Sequence, residues 1–106
     1  MQLPAPIRTY FTARAPQDGD VLAKAFAARA IVHDEGRSHH GPQAIRDWWL
    51  AAKARYHHHA EPMDIAEAGG ETRVTAKVTG DFPGSPAVLT FVFGLDGNLI
   101  TDLEIG

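Results

Sequence analysis

The sequence predicts an α+β fold in which helices come first and a curved, mostly antiparallel sheet follows, with the helices on one sheet face. Ile7, Tyr10, Phe11 and Arg14 fall at i, i+3, i+4 and i+7, and Ile45, Trp48, Trp49, Ala52 and Tyr56 keep the same helical spacing. From residue 72 the period drops to two: Thr72, Val74, Ala76 and Val78 alternate with Arg73, Thr75, Lys77 and Thr79. Turn residues at Gly69-Gly70, Pro83-Gly84-Ser85-Pro86 and Asp96-Gly97-Asn98 divide this half of the chain into strands.

Each element has a local cause. Pro4 and Pro6 suit a first helical turn, where the missing N–H costs nothing, and Pro16 is expected to stop that helix. Asp18 or Asp20 caps a second helix with an apolar stripe of Val21, Leu22, Ala25 and Phe26. The β-branched run from Ala30 to Asp34 is a strand that enters a turn at Glu35-Gly36. Gly41-Pro42 opens the third helix. His57 to Ala66 reads as a strand interrupted by Pro62, which belongs on an edge or at a bulge. Strands follow over Thr72–Thr79 and Ala87–Gly94, the latter with Leu89, Phe91 and Phe93 on one face, and Leu99–Ile105 closes the sheet. A sheet of this kind, if curled, encloses a pocket beneath the helices.

Composition narrows the function classes. At 106 residues the chain is expected to form one domain, spanning 1–106. A 44 % hydrophobic and 22 % charged composition argues against disorder. Thirteen acidic against ten basic residues leave a formal charge of −3 and no basic run, which argues against a nucleic-acid partner. There is no cysteine, hence no disulfide, thiol nucleophile or cysteine-zinc site, and a reducing cytoplasm fits best. No apolar run approaches the ~20 residues that cross a bilayer, and the start at Met1 lacks a charged and apolar leader. A P-loop, a dinucleotide fingerprint and G-x-S-x-G are all missing, and the glycines at 69–70 and 94–97 read as turn glycines. No cofactor is therefore expected.

Two residues stand out for chemistry. Asp34 ends an apolar strand, so its carboxylate could lie at the rim or inside of the pocket, where partial burial would raise its pKa and improve it as a base. The alternative is that it begins the turn and bonds local N–H groups. Tyr10 shares a face with Ile7 and Phe11; its hydroxyl could donate to an oxyanion, or it could be a core aromatic with a satisfied hydroxyl. Trp48 and Trp49 could line a ligand site or fill the core, but their side chains diverge by about 100° and cannot do both equally. Arg14 snorkels at a helix end or pairs with an anionic ligand. His57 and His59 fall on one strand face. With His33, His39 and His40 they raise a metal reading, but metal-ligand spacing is missing and solvent-facing histidines are expected. Asp102 and Glu104 share a solvated strand face.

The order of elements also resembles a known group. Val32-His33-Asp34-Glu35-Gly36, followed by Gly41 and by Ala44-Ile45-Arg46-Asp47, resembles SnoaL-like domains of the NTF2-like superfamily, which include polyketide cyclases and ketosteroid isomerases. The resemblance covers nearly the whole chain. It implies a cone: three N-terminal helices on a curved sheet around a pocket. From Tyr10 through Phe26 to Asp34 the chain is similar to bacterial ketosteroid isomerases without a gap. That likeness implies Tyr10 as oxyanion donor and Asp34 as proton shuttle, roles with an established physical pattern. It also implies Trp48 and Trp49 as pocket aromatics, and Phe26, Tyr56, Leu89 and Phe91 join them as candidate walls. One departure is visible. The family's second oxyanion donor precedes a Phe-x-Phe segment, and here Leu89, which cannot donate, precedes Thr90-Phe91-Val92-Phe93. Trp49 likewise replaces a hydroxyl-bearing residue near Tyr10.

The expected ligand is a small apolar molecule bearing a carbonyl. The expected chemistry is proton abstraction next to that carbonyl, ending in isomerisation or cyclisation. The rival is a non-catalytic ligand-binding or assembly module of the same fold. A homodimer is expected through the outer sheet face, two-fold dimers being the commonest oligomers.

Overall fold

The computed structural model describes residues 2–106. Helix α1 spans Ala5–Thr12, α2 Gly19–Lys24 and α3 Gly41–Tyr56; the strands are β1 Phe26–Asp34, β2 Arg37–His40, β3 His59–Ala68, β4 Glu71–Thr79, β5 Ala87–Asp96 and β6 Leu99–Ile105. The six strands form one sheet in the order β2-β1-β6-β5-β4-β3. Every pair is antiparallel except β1 with β6, which run parallel. The parallel join is what brings the first strand back beside the last.

Period-two patterning determines what faces the helices. Val74 of β4 pairs with Phe91 of β5, Thr72 with Phe93, and Phe93 in turn with Leu103 of β6. These side chains are buried, and Ile7 of α1, Leu22 of α2, and Ile45 and Trp49 of α3 close over them. The intervening Arg73 and Lys77 are exposed on the outer sheet face. Register breaks between Phe26 and Ile31 in β1, Pro62 and Asp64 in β3, and Gly94 and Leu95 in β5 bend the strands and give the sheet its curvature. Pro62 lies in the edge strand beside one of these breaks, as its missing N–H requires. Gly94 is not a turn glycine; it lies within β5, where the Asp102 carboxylate and the Thr101 hydroxyl occupy the space a Cβ would need.

Three local expectations are corrected, and one strand is added. Helix α1 ends at Thr12, before Pro16 is reached. The chain leaves it into a loop in which the Arg14 N–H donates to Asp18 Oδ2 (2.9 Å) and the Asp18 N–H to the Arg14 carbonyl (2.8 Å). Asp18 does occupy the cap position of α2, but its carboxylate is spent on Arg14, and Asp20 instead pairs with Arg46 of α3 at 2.7 Å. The apolar stripe of α2 is shorter than expected: Val21 is 52 % exposed, and Phe26 opens β1. Finally, Arg37–His40 forms a short hairpin strand against β1, because Glu35 and Gly36 both adopt positive φ and reverse the chain tightly.

The α3–β3 junction is held from below. His57 takes the left-handed conformation (φ 48°, ψ 38°) and its N–H donates to the Lys53 carbonyl. This stops the helix and starts the strand at His59, so His57 does not share a strand face with His59. Gly80 passes directly beneath: a Cβ there would lie 2.8 Å from His58 Cα, His58 Cβ and the Tyr56 carbonyl oxygen. Backbone cannot yield as a flexible side chain can. Gly80→Ala is therefore expected to destabilise the fold by about 1–3 kcal/mol, read from urea unfolding. A change below about 0.5 kcal/mol, the range of neutral surface substitutions, would show that the junction is not tightly packed.

Candidate functional site

A cavity of about 360 Å³ opens between the inner sheet face and the helices. Its walls are largely apolar: Ala52 and Tyr56 of α3, Val78 of β4, Leu89 and Phe91 of β5, Ile105 of β6, and Phe82 and Pro83 of the loop between β4 and β5. Tyr10 of α1, Asp34 and Glu35 at the end of β1, Trp48 of α3 and His58 at the α3–β3 junction bring polar groups to it.

The position of Asp34 follows from the alternation of β1. Ala30 and Val32 are buried on the inner face, and Asp34 is two residues further along the same face. Only half-buried, its carboxyl is pushed above the ordinary carboxylate range, chiefly by burial and then by the Glu35 charge. The Trp48 indole N–H donates to Asp34 Oδ2 at 3.3 Å and acts in the other direction. That indole is itself held, stacked on the His39 ring with centroids 5.5 Å apart. The hairpin strand β2 thus supports the ring that orients the carboxylate.

Tyr10 is 8 % exposed and surrounded edge-on by the rings of Phe11, Phe93 and Phe26, with centroids 5.2, 5.6 and 6.5 Å away. Phe91 lies tilted at 6.0 Å. None of the side-chain hydrogen bonds among the described residues involves its hydroxyl. Among those residues only Arg46 Nε is a fully enclosed polar side-chain atom without a partner. The Tyr10 hydroxyl is therefore neither satisfied by the protein nor sealed off, and it opens on the cavity. Burial raises the phenol pKa well above its usual range, and the negative charge of Asp34 raises it further. The phenol is a proton-bearing donor at any physiological pH.

Six of the eight residues expected from the sequence line this cavity: Tyr10, Asp34, Trp48, Tyr56, Leu89 and Phe91. Phe26 and Trp49 do not. Phe26 packs in the core against Tyr10, and Trp49 is sealed in the core with the Lys53 ammonium 6.0 Å from its ring centroid. The pair of adjacent tryptophans thus divides, one to the cavity and one to the core.

Among the cavity residues that sequence patterning missed, Glu35, Ala52, Val78, Phe82, Pro83 and Ile105 extend walls already expected, whereas His58 adds a new polar group. The left-handed His57 turns it inward, and neither event leaves a periodic signal. Desolvation lowers its pKa to about 4, with the Lys53 and His59 charges adding to the effect, so the ring is neutral near pH 7. Among the described residues no three His, Asp or Glu side chains converge as a metal-binding group. No helix there is long and apolar enough to cross a membrane.

The cavity offers a carboxylate of raised basicity and an unbonded phenol on one apolar-walled space. This pairing can in principle take a proton from carbon and bind the oxyanion that results. A model of the SnoaL-like domain family matches residues 7–102. Among solved structures, a candidate polyketide cyclase from Sinorhizobium meliloti is 43 % identical, with 98 % of this chain and 95 % of that one covered and a TM-score of 0.91. A Catenulispora acidiphila protein of ketosteroid isomerase-like fold, in complex with trimethylamine, is 20 % identical over 99 % of this chain and 86 % of that one, at a TM-score of 0.84. A candidate isomerase of the SnoaL-like family from Agrobacterium tumefaciens is 18 % identical over 94 % and 92 %, at 0.75. The last two likenesses speak to the fold alone. The sequence of no curated protein matches that of this chain.

Because the folded chain resists protonating His58 and the unfolded chain does not, His58 costs stability as pH falls from about 6.5 to about 4. Asp34, with its raised carboxyl, works in the opposite sense. In His58→Gln the unfolding midpoint is expected to fall less steeply over that interval than in the parent chain. Parallel slopes would show that His58 is not buried in its neutral form.

Proposed function

The chain belongs to the SnoaL-like domain family, and on that premise we propose that its cavity carries out cofactor-free proton abstraction next to a carbonyl, of the isomerase or cyclase kind. The observation that carries this reading is the joint presence of Asp34 and the unbonded Tyr10 hydroxyl on one apolar cavity. The 43 % identical candidate polyketide cyclase supports it.

In this reading a small apolar carbonyl compound enters with its oxygen toward Tyr10. A cavity of about 360 Å³ is within the range of small-molecule sites. With Trp48 donating to one carboxylate oxygen of Asp34, the other removes the proton α to the carbonyl. The C–H electron pair moves into the enolate, whose oxygen accepts a hydrogen bond from the Tyr10 hydroxyl. Asp34 then returns the proton to another carbon, giving the isomer, or the enolate carbon attacks a second carbonyl and closes a ring, the C=O π pair passing to oxygen and the resulting alkoxide taking the proton from Asp34. Burial serves both residues: it raises the basicity of Asp34 and keeps the Tyr10 proton in place. Leu89 lines the cavity, and the likeness to the ketosteroid isomerases implies a second donor at its position, which leucine cannot supply. Losing one oxyanion donor typically costs ~10²–10³ in rate, so modest turnover on steroid-like enones is expected.

The test measures deuterium uptake from solvent at the carbon next to the carbonyl across a panel of cyclic enones, alongside binding of 2-naphthol as an enolate mimic. Asp34→Asn is expected to abolish exchange and to leave 2-naphthol binding intact or tighter. Tyr10→Phe is expected to slow exchange by ~10²–10³ and to weaken 2-naphthol binding. Since the base acts ionised, exchange is expected to fall as pH drops through the raised pKa of Asp34, above the ordinary value near 4. An Asp34→Asn variant that exchanges as fast as the parent would sink the proposal. A parent chain that binds 2-naphthol but exchanges no enone would make it a binding module.

A further inference from the structure

A second hollow, of about 650 Å³, lies outside the cavity, where the end of α1 and the loop after it face the end of α3 and the start of β3. The chain as a whole is acidic, with a formal charge of −3. Yet Arg14, Lys53, His57 and His59 line this hollow, and no Asp or Glu is among its lining residues. The neighbouring acids are already engaged: Asp18 Oδ2 accepts from the Arg14 backbone N–H, and Asp81 Oδ2 lies 3.1 Å from His57 Nδ1.

The two permanent cations have no such partner. The ion pairs among the described residues are Arg46–Asp20, His57–Asp81 and Arg73–Glu71, so neither Arg14 nor Lys53 is within ion-pair distance of a carboxylate. Lys53 is the more telling of the two. Its ammonium donates to the His58 carbonyl at 2.8 Å, and its group lies 6.0 Å from the Trp49 ring centroid. It is thus held in place and partly desolvated, with burial lowering its pKa and no negative charge opposing that effect. Taking a cation out of water without a counter-charge is unfavourable, and a fixed ammonium keeps donors free for one. Arg14 adds a planar fork suited to two oxygens of one anion.

We infer that this groove is a binding site for a small oxyanion, a carboxylate or phosphate group, held between Arg14 and Lys53. The inference does not rest on the proton-abstraction reading. His58 borders both the groove and the cavity, so the anion has two possible sources: free in solution, or carried as an arm of the molecule in the cavity.

The experiment titrates inorganic phosphate into the intact chain at low ionic strength with chloride as control, following affinity by calorimetry and the backbone amide signals of residues 57–59. Arg14→Gln and Lys53→Met are the variants; methionine keeps an apolar stem over Trp49, and unchanged unfolding midpoints establish that both fold. Saturable phosphate binding, weakened roughly tenfold or more in each variant, is the expected result. A second arm compares 2-naphthol with 6-hydroxy-2-naphthoate. An affinity gain for the acid that disappears in Arg14→Gln places the anion on the cavity ligand, whereas an Arg14 dependence confined to phosphate makes it a free anion. The site does not exist if phosphate fails to saturate and the acid gains nothing over 2-naphthol, or if neither phosphate nor naphthoate distinguishes the variants from the parent.

Discussion

The geometry of the cavity depends on one alternation in β1. Ala30 and Val32 are wholly buried, and a strand that buries them must turn Asp34 to the same side. A slip of one residue would place Ile31 and His33 inward and the carboxylate in water. Two neighbours prevent that slip. On one side β6 runs parallel, with Val32 opposite Leu103; on the other β2 folds back through the positive-φ pair Glu35-Gly36, setting Val32 opposite His39. His39 is the residue that stacks on Trp48, which in turn bonds Asp34. The hairpin that fixes the register therefore also supplies the platform for the ring that orients the carboxylate.

The same burial acts on the polar groups of the cavity in different directions. It raises the carboxyl of Asp34 and the phenol of Tyr10, and it lowers the imidazole of His58. All three shifts favour the neutral form. Tyr10 and His58 are neutral near pH 7, and an ionised Asp34 is the charge the cavity must tolerate. The negative charge of Asp34 reinforces the proton on Tyr10, so the base supports the donor's working state.

Much of this was legible in the sequence where one period ran uninterrupted. The sixteen residues of α3 begin at the Gly41-Pro42 signal, and β4 repeats at two residues over its whole length. The inward residues Val74, Phe91 and Phe93 follow directly. Legibility failed where a few residues decide the path. Helix α2 has six residues, too few to distinguish a stripe from the start of the next strand, and Phe26 fell on the wrong side. Adjacent tryptophans on a helix must diverge, but only the tertiary packing of α3 determines that Trp48 meets the cavity and Trp49 the core. The inward turn of His58 needs a left-handed His57 and the missing side chain of Gly80, two conditions more than twenty residues apart in the chain.

The carboxylate also shapes what the rest of the fold must supply. A carboxyl whose pKa rises on folding contributes stability that is fully present below its ordinary pKa and is lost as pH rises through the folded value. An ionised Asp34 thus lies in a place that disfavours ionisation, and Glu35 beside it adds repulsion. The structure does not relieve this with an arginine or lysine, since none is among the residues lining the cavity. Relief comes first from a neutral N–H, that of Trp48, with the His39 charge and the Glu35 backbone N–H adding to it, and none of these quenches the carboxylate as a salt bridge would. The unfavourable term is carried instead by the aromatic cluster around Tyr10 and the sealed rows of β4, β5 and β6. The cationic side chains stay outside the cavity, with Lys53 and Arg14 in the groove beyond His58. Exchanging a cavity wall residue for a cation would thus lower the Asp34 pKa and weaken it as a base.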